Sequence, residues 1–168
     1  MVFIIMGVSG CGKTTVGSLL GQKLTLPFHD ADAFHSPQAR VKMQAGIPLD
    51  DADRLPWLKD LASHIAQWNQ GPGAVLACSA LKESYRGVLS HAGREDVVFI
   101  HLTGDHEVIR RRLATRTGHY FSPDLLQSQL DALETPSDAI SIDIHESPEI
   151  MVSTLFAKLE KTIAPLAS

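Results

Sequence analysis

The chain has 168 residues, a net charge of −4 and 44% hydrophobic residues, which suits a single domain with a sizeable buried core. Its longest basic run is three arginines, so the sequence indicates neither a nucleic-acid partner nor a polybasic membrane contact. No apolar stretch approaches the roughly 20 residues that a membrane span requires. Two cysteines do not make a disulfide framework, and we expect a cytoplasmic protein.

A glycine-rich loop follows the first predicted strand. Residues 2–6 are continuously apolar, as in a strand buried on both faces, and residues 7–14 read GVSGCGKT, which fits G-x-x-x-x-G-K-[ST]. Apolar residues then recur at helical spacing over 13–24. This strand, loop and helix predict a phosphate site. The alternative is a tight strand–helix turn that happens to carry glycines and a lysine.

The residues of this loop have distinct predicted roles. Backbone N–H groups and the positive end of the helix would hold phosphate oxygens. Lys13 would reach the β- and γ-phosphates as a catalytic residue, and the Thr14 hydroxyl would bind Mg²⁺. The predicted nucleotide-binding residues in the loop are Gly7, Ser9, Gly10, Cys11, Gly12, Lys13, Thr14 and Thr15.

Two aspartates follow the second predicted strand, at residues 26–30. Asp30 and Asp32 would lie at its carboxyl end, where ligands of open α/β sheets bind, and on one face if the strand is regular. Because the third strand ends in Cys78 and Ser79 rather than in an aspartate, Asp30 and Asp32 are the best candidates for the carboxylate that helps Thr14 to hold Mg²⁺. Asp30 starts the turn and is expected to lie closer to the glycine-rich loop, so we assign it to the metal. Asp32 is then the predicted base for the attacking hydroxyl. The alternative is a solvated acidic turn.

The rest of the chain alternates apolar and amphipathic segments, which predicts an α/β fold with a parallel sheet of five strands. Predicted helices cover 36–46, 56–69, 123–134 and 148–163, with two more between them, and predicted strands cover 74–78, 97–102 and 139–144. Residues 48–54 are predicted as a polar connection, and Pro56 as part of the first turn of the next helix. Trp57 and Trp68 fall on its apolar stripe and are predicted core residues.

Arginines precede a glycine-containing segment that we predict to be a lid, at about 115–121. Arg112 and Arg116 share a helix face, and Arg116 would close over the triphosphate as a catalytic residue. Arg110 and Arg111 fit a solvated basic face equally well. We expect the adenine to lie between Arg112 and the loop after strand five, near Ser147 and Pro148.

The chain resembles the bacterial gluconokinase family over nearly its whole length and in the same order. The shared segments read GVSGCGKT (7–14), DADAFH (30–35), MQAGIPLDDADRLPWL (43–58), CSALK (78–82) with Tyr85 and Arg86, and RTGHY (116–120). The second half of the 43–58 segment and CSALK are the most specific. The chain departs from the family at Cys11, Ala31 and Tyr120, where Ser, Gly and Phe are expected.

The resemblance implies a P-loop fold of the nucleoside-monophosphate-kinase class, with one domain over 1–168, strand order 2-3-1-4-5 and a substrate cap at about 34–70. It implies transfer of the γ-phosphate of ATP to the 6-hydroxyl of D-gluconate with Mg²⁺, and a homodimer. Gluconate needs cationic donors for its carboxylate and mixed polar groups for its hydroxyls. The predicted substrate-binding residues are Asp32, His35, Arg54, Ser79, Lys82, Arg86 and His119, although the two histidines fit plain surface or core positions as well.

Other functions remain open from the sequence. Shikimate kinase is the nearest rival, but that family usually carries three glycines after the third strand, where this chain has Cys78, Ser79 and Ala80. A nucleoside-monophosphate kinase would need a base-site pattern after strand two that is missing. A nucleotide-binding regulatory module is the rival from another class, and the paired aspartates argue against it.

Overall fold

A computed structural model of the chain describes residues 1–91, 96–115 and 123–163. These parts form one sheet of five strands in the order β2-β3-β1-β4-β5, and every neighbouring pair is parallel. The predicted fold class and strand order are confirmed. The strands are β1 (Val2–Met6), β2 (Phe28–Asp30), β3 (Ala74–Ala77), β4 (Val97–Thr103) and β5 (Ile140–Asp143).

Helices cover both faces of this sheet. One face packs against α1, α5, α6 and α7, and the other against α3 and α4. None of the helices in the described residues is both long and apolar enough to cross a membrane. The helices are α1 (Lys13–Leu24), α2 (Pro37–Gln44), α3 (Asp51–Asn69), α4 (Glu83–Ser90), α5 (His106–Thr115), α6 (Pro123–Ala132) and α7 (Pro148–Ile163).

The central strand β1 shows why the sheet is buried. Its side chains alternate, so that Ile4 and Met6 enter the α3 side of the core while Phe3 and Ile5 enter the α1 side. All five residues of β1 are buried, as the continuous apolar run predicts. The carboxyl end of β1 therefore delivers the glycine-rich loop to the middle of one sheet edge.

The start of α3 corrects one prediction. Residues 51–54 are its first turn rather than a polar connection, because Asp50 and Asp53 form a reciprocal capping box. Asp50 Oδ1 accepts from the Asp53 N–H at 2.7 Å, and Asp53 Oδ2 accepts from the Asp50 N–H at 3.2 Å. Pro56 consequently lies inside the helix, and its placement in the first turn was wrong. Trp57 is buried, as predicted.

The turn after β2 corrects the prediction that Asp30 and Asp32 share one face of a regular strand. The strand covers three residues, and residues Ala31–Phe34 form a 3₁₀ helix. Asp30 and Asp32 are therefore not residues of one regular strand, because the chain turns between them. The Asp30 carboxylate caps this turn by accepting from the Asp32 N–H at 3.1 Å. The substrate-cap and lid boundaries stay predictions, and most of the predicted lid, including Arg116, His119 and Tyr120, lies outside the described residues.

Candidate active site

The glycine-rich loop has the backbone that its sequence predicts. Gly7, Gly10 and Gly12 have φ values of 137°, 83° and 103°, a region that side chains rarely adopt. At Gly10 there is also no room, because a Cβ would lie 2.6 Å from Leu113 Cγ of α5. Helix α1 begins at Lys13, directly after the loop, so its N-terminal N–H groups adjoin the loop.

The Lys13 side chain folds back onto the loop. Its Nζ donates a hydrogen bond to the Val8 carbonyl oxygen at 3.0 Å. The ammonium group is thereby held at the loop rather than extended into solvent. Cys11 is fully buried beside it, and burial raises the pKa of its thiol. Cys11 therefore contributes a backbone N–H and packing, rather than a reactive thiolate, to the loop.

Thr14 and Asp30 meet where the loop approaches the end of β2. The Thr14 hydroxyl donates to Asp30 Oδ2 at 3.0 Å. These are the two side chains assigned to Mg²⁺ from the sequence, and 16 positions separate them in the chain. Because β2, β3 and β1 are parallel neighbours, their carboxyl ends share one edge, and the fold brings the two oxygens together. Thr15 is exposed next to them.

Asp32 differs from Asp30 in its surroundings. Its side chain is 84% exposed and lies 3.8 Å from His35 Nε2. His35 is buried and stacks on Trp57, with ring centroids 4.3 Å apart. Burial lowers the pKa of His35, so the ring is neutral at pH 7. Trp57 Nε1 also donates to the Ala31 carbonyl at 3.0 Å, so this core residue supports the turn that presents Asp32.

We call the region between the end of β3 and the first turn of α3 the acceptor side, and the predicted cations there have partners. Lys82 Nζ contacts both oxygens of Asp51 at 2.8 and 2.9 Å, and the Tyr85 hydroxyl donates to the same carboxylate. The hydrogen bond from Lys82 lowers the pKa of Asp51. Arg54 is half-buried, with its guanidinium 5.8 Å from the centre of the Tyr85 ring. Lys82 and Arg54 thus converge on Tyr85, next to the first turn of α3.

Arg86 and Ser79 belong to the backbone framework of this region. Arg86 is buried, and its Nη1 donates to the carbonyls of Ala80 and Leu81 at 3.0 Å each. The Ser79 carbonyl accepts from the Gly7 N–H at 3.3 Å, which ties the end of β3 to the glycine-rich loop. Arg86 therefore holds the chain after β3, whereas Ser79 is half-buried beside the loop.

Arg112 connects the loop with the end of β5. Its Nη1 donates to the Cys11 carbonyl at 3.4 Å and its Nη2 to the Ile144 carbonyl at 2.6 Å. Ser147 precedes α7, and Pro148 is that helix's first residue. The guanidinium therefore contacts the chain three residues before Ser147. Arg116 and His119 lie outside the described residues.

Sequence reasoning missed Gln129 and Asp51. Gln129, on α6, accepts a hydrogen bond from the Ser9 N–H at 2.7 Å through its Oε1, across 120 positions of sequence. One signal for it exists, because Gln129 is a polar residue three positions after buried Leu126 and four before Leu133. Asp51 lay in a segment that we predicted to be a connection, so its position beside Lys82 was not foreseen.

Comparisons with known proteins agree with this arrangement. The family model described as "Shikimate kinase" matches residues 9–155. A probable gluconokinase of Rattus norvegicus is 43% identical over 93% of this chain and 96% of its own length. The thermosensitive gluconokinase of Escherichia coli (strain K12) is 43% identical over 85% of this chain and 79% of its own. The crystal structure of a gluconokinase from Sinorhizobium meliloti 1021 has a TM-score of 0.90 at 36% identity, covering 99% of this chain and 95% of that one.

Proposed function

The chain belongs to the gluconokinase family, and we propose that it transfers the γ-phosphate of ATP to the 6-hydroxyl of D-gluconate. The products are 6-phospho-D-gluconate and ADP, so the reaction would feed gluconate catabolism. One observation carries the proposal: the Thr14–Asp30 hydrogen bond places the phosphate loop directly beside the turn that exposes Asp32. A phosphoryl donor and a hydroxyl acceptor would meet there.

The loop residues fit a bound nucleotide with Mg²⁺. Mg²⁺ prefers hard oxygen ligands and takes few of them from the protein, and the Thr14 hydroxyl and Asp30 carboxylate are two such groups already in contact. When bound, Mg²⁺ would neutralise charge on the transferring phosphate. Lys13 would exchange the Val8 carbonyl for phosphate oxygens, because an anion is the stronger partner for its ammonium group.

Asp32 is the better-supported base. Both oxygens of Asp30 already accept hydrogen bonds, one from Thr14 and one from the Asp32 N–H, whereas the Asp32 carboxylate is open to an incoming hydroxyl. Asp32 would accept the proton as the oxygen attacks. Neutral His35 lies beside it and would contribute a hydrogen-bonding group for the substrate rather than a positive charge.

Arg54 and Lys82 are the proposed partners of the gluconate carboxylate. They converge on Tyr85, and neither is fully buried. The substrate carboxylate would share Lys82 with Asp51, or displace Asp51 from it. Ser79 is proposed to contact hydroxyls of the substrate. Arg86 is the third candidate partner of the gluconate carboxylate, but it has less freedom because it is buried and already donates to two carbonyls.

We place the adenine between Arg112 and residues 147–148, because a planar guanidinium can stack on a base. Arg116 is proposed to close over the triphosphate from a lid at about 115–121, where His119 would meet the substrate. Limited proteolysis tests the lid: we expect cleavage there to slow when an ATP analogue and gluconate are added together. Equal cleavage with and without ligands would contradict a lid.

A turnover assay with alternative acceptors tests the function. The chain is mixed with ATP, Mg²⁺ and, separately, gluconate, shikimate or nucleoside monophosphates, and ADP release is followed. We expect ADP release that depends on gluconate. Turnover of shikimate instead would favour the function named by the matching family model. ATP binding without transfer to any acceptor would favour a regulatory module. We further propose that the protein is cytoplasmic and forms a homodimer. Sedimentation of the purified chain would test the dimer.

A further inference from the structure

A side chain from α6 reaches the phosphate loop. Gln129 Oε1 accepts from the Ser9 N–H at 2.7 Å, and Ser9 stands between Gly7 and the left-handed Gly10. This amide belongs to a loop whose N–H groups are expected to hold phosphate oxygens. In this structure the Ser9 N–H instead donates to the neutral side-chain oxygen of Gln129. The bond therefore fixes one peptide of the loop from outside it.

The chain just after α6 is anchored on the acceptor side. The Glu134 N–H donates to the Leu81 carbonyl at 2.9 Å, and the Glu134 carboxylate accepts from the Glu83 N–H at the start of α4. Residues 81–83 lie between the end of β3 and the first turn of α4, and they include Lys82, a proposed partner of the acceptor. One short segment, 129–134, thus contacts both the phosphate loop and the chain that follows β3. Its position sets where the Gln129 amide can lie.

We propose that Gln129 is a positioning residue for phosphoryl transfer, which acts by holding the Ser9 peptide so that the loop is ordered before ATP binds. A pre-ordered loop avoids an entropic cost that would otherwise lower nucleotide affinity. The side chain must also be neutral, because a carboxylate at the same place would repel the triphosphate. This inference rests on the proposed kinase function and deepens it.

Two substitutions separate positioning from simple structural support. Gln129→Met keeps the length of the side chain but removes the acceptor oxygen, and Gln129→Glu keeps an acceptor oxygen but adds a negative charge. We expect Gln129→Met to lower kcat/KM for ATP about tenfold, as the loss of a partly buried hydrogen bond suggests. Gln129→Glu should retain the melting temperature yet lower kcat/KM for ATP further, by roughly a hundredfold.

Gln127 provides the matched control. It lies on the same helix, is exposed, and donates to Asp131 at 2.8 Å. Gln127→Glu and Gln127→Met should therefore keep the parent kinetics. Full activity in Gln129→Glu would overturn the proposal, since it would show that any acceptor oxygen suffices and that the bond is only structural. Unchanged activity in both Gln129 variants would overturn it as well.

A measurement on the unaltered chain covers the case in which a Gln129 variant does not fold. Hydrogen exchange at the Ser9 amide should be slow before any nucleotide is added, because Gln129 holds it. Fast exchange that becomes slow only with an ATP analogue would contradict pre-ordering. The acceptor assay keeps this inference separate from the proposed function. If shikimate rather than gluconate is phosphorylated, the proposed function fails, and the Gln129 comparison is made with shikimate.

Discussion

The nucleotide side and the acceptor side of the sheet edge are built differently. On the nucleotide side, Lys13 and Arg112 donate to main-chain carbonyls of the phosphate loop and of the end of β5. On the acceptor side, Lys82 is paired with the carboxylate of Asp51, and Asp32 is exposed. The cations Lys13 and Arg112 are thus held by main-chain carbonyls, while Lys82 is held by a side-chain carboxylate, a partner that a charged substrate can replace. Substitutions on the two sides should therefore affect different kinetic constants.

Removing the loop lysine should have the largest effect. Lys13→Ala deletes the ammonium group that would stabilise charge on the transferring phosphate, so we expect kcat to fall by roughly a thousandfold or more. Circular dichroism should show an intact fold, because among the described residues the side chain gives up one hydrogen bond, to the Val8 carbonyl. A folded Lys13→Ala variant with nearly the parent rate would refute the role assigned to the loop.

Neutralising the exposed aspartate comes next. Asp32→Asn keeps the size of the side chain but removes the proposed base, and kcat should fall by roughly a hundredfold with little change in ATP affinity. Asp30→Asn should instead raise the Mg²⁺ concentration needed for half-maximal activity, because Asp30 is the carboxylate in contact with Thr14. Titrations of both variants with Mg²⁺ test the pair. Exchanged phenotypes would reverse the assignment.

The acceptor side is tested by its lysine. Lys82→Met should raise KM for gluconate roughly tenfold, because Lys82 is a proposed partner of the gluconate carboxylate. KM for ATP should stay unchanged, because Lys82 is paired with Asp51 and not with the phosphate loop. Lys42→Met is the control, since Lys42 forms a similar pair with both oxygens of Asp53 at 2.7 and 2.8 Å, between α2 and α3. A rise in KM for ATP in Lys82→Met, or an equal rise in KM for gluconate in both variants, would contradict the proposed separation of the nucleotide side from the acceptor side.

A smaller effect concerns stability and pH. Burial lowers the pKa of His35 below its unfolded value of about 6.5, so the unfolded chain binds the proton more readily. The free energy of unfolding should therefore decrease as the pH falls from 7 to 5. His35→Phe keeps a ring against Trp57 but does not titrate, so urea unfolding should show a smaller decrease. An equal or larger decrease in the variant would contradict this.

His145, on the nucleotide side, should make stability depend on pH in the opposite direction to His35. The hydrogen bond to Asp143 raises the pKa of His145, so the folded state binds the proton more readily. Its contribution to stability is present below the unfolded pKa and is lost as the pH rises through the folded pKa. His145→Asn should therefore lose stability relative to the parent at pH 5 rather than at pH 8. A deficit confined to pH 8 would contradict the assignment.

Local signals predicted the backbone of the phosphate loop and the start of α1. A run of glycines with a lysine needs no information from elsewhere in the chain, and the parallel strand order then brings Asp30 to Thr14. The start of α3 was misplaced because Pro56 suggested a first turn, while its actual cap is formed by two aspartates. Lys82 with Asp51 and Ser9 with Gln129 are pairs 31 and 120 positions apart, and only tertiary packing decides such pairing.

The two cysteines have a consequence for measuring how the domain opens. Cys11 and Cys78 are buried in separate hydrophobic clusters on opposite faces of the sheet. Burial raises the pKa of both thiols, to about 12 for Cys78, so neither supplies the thiolate that alkylating reagents attack. Alkylation of each thiol must then wait for its own face of the sheet to open. Mass spectrometry of the two labelled peptides would time the opening of the α1 face and the α3 face separately, without any introduced probe.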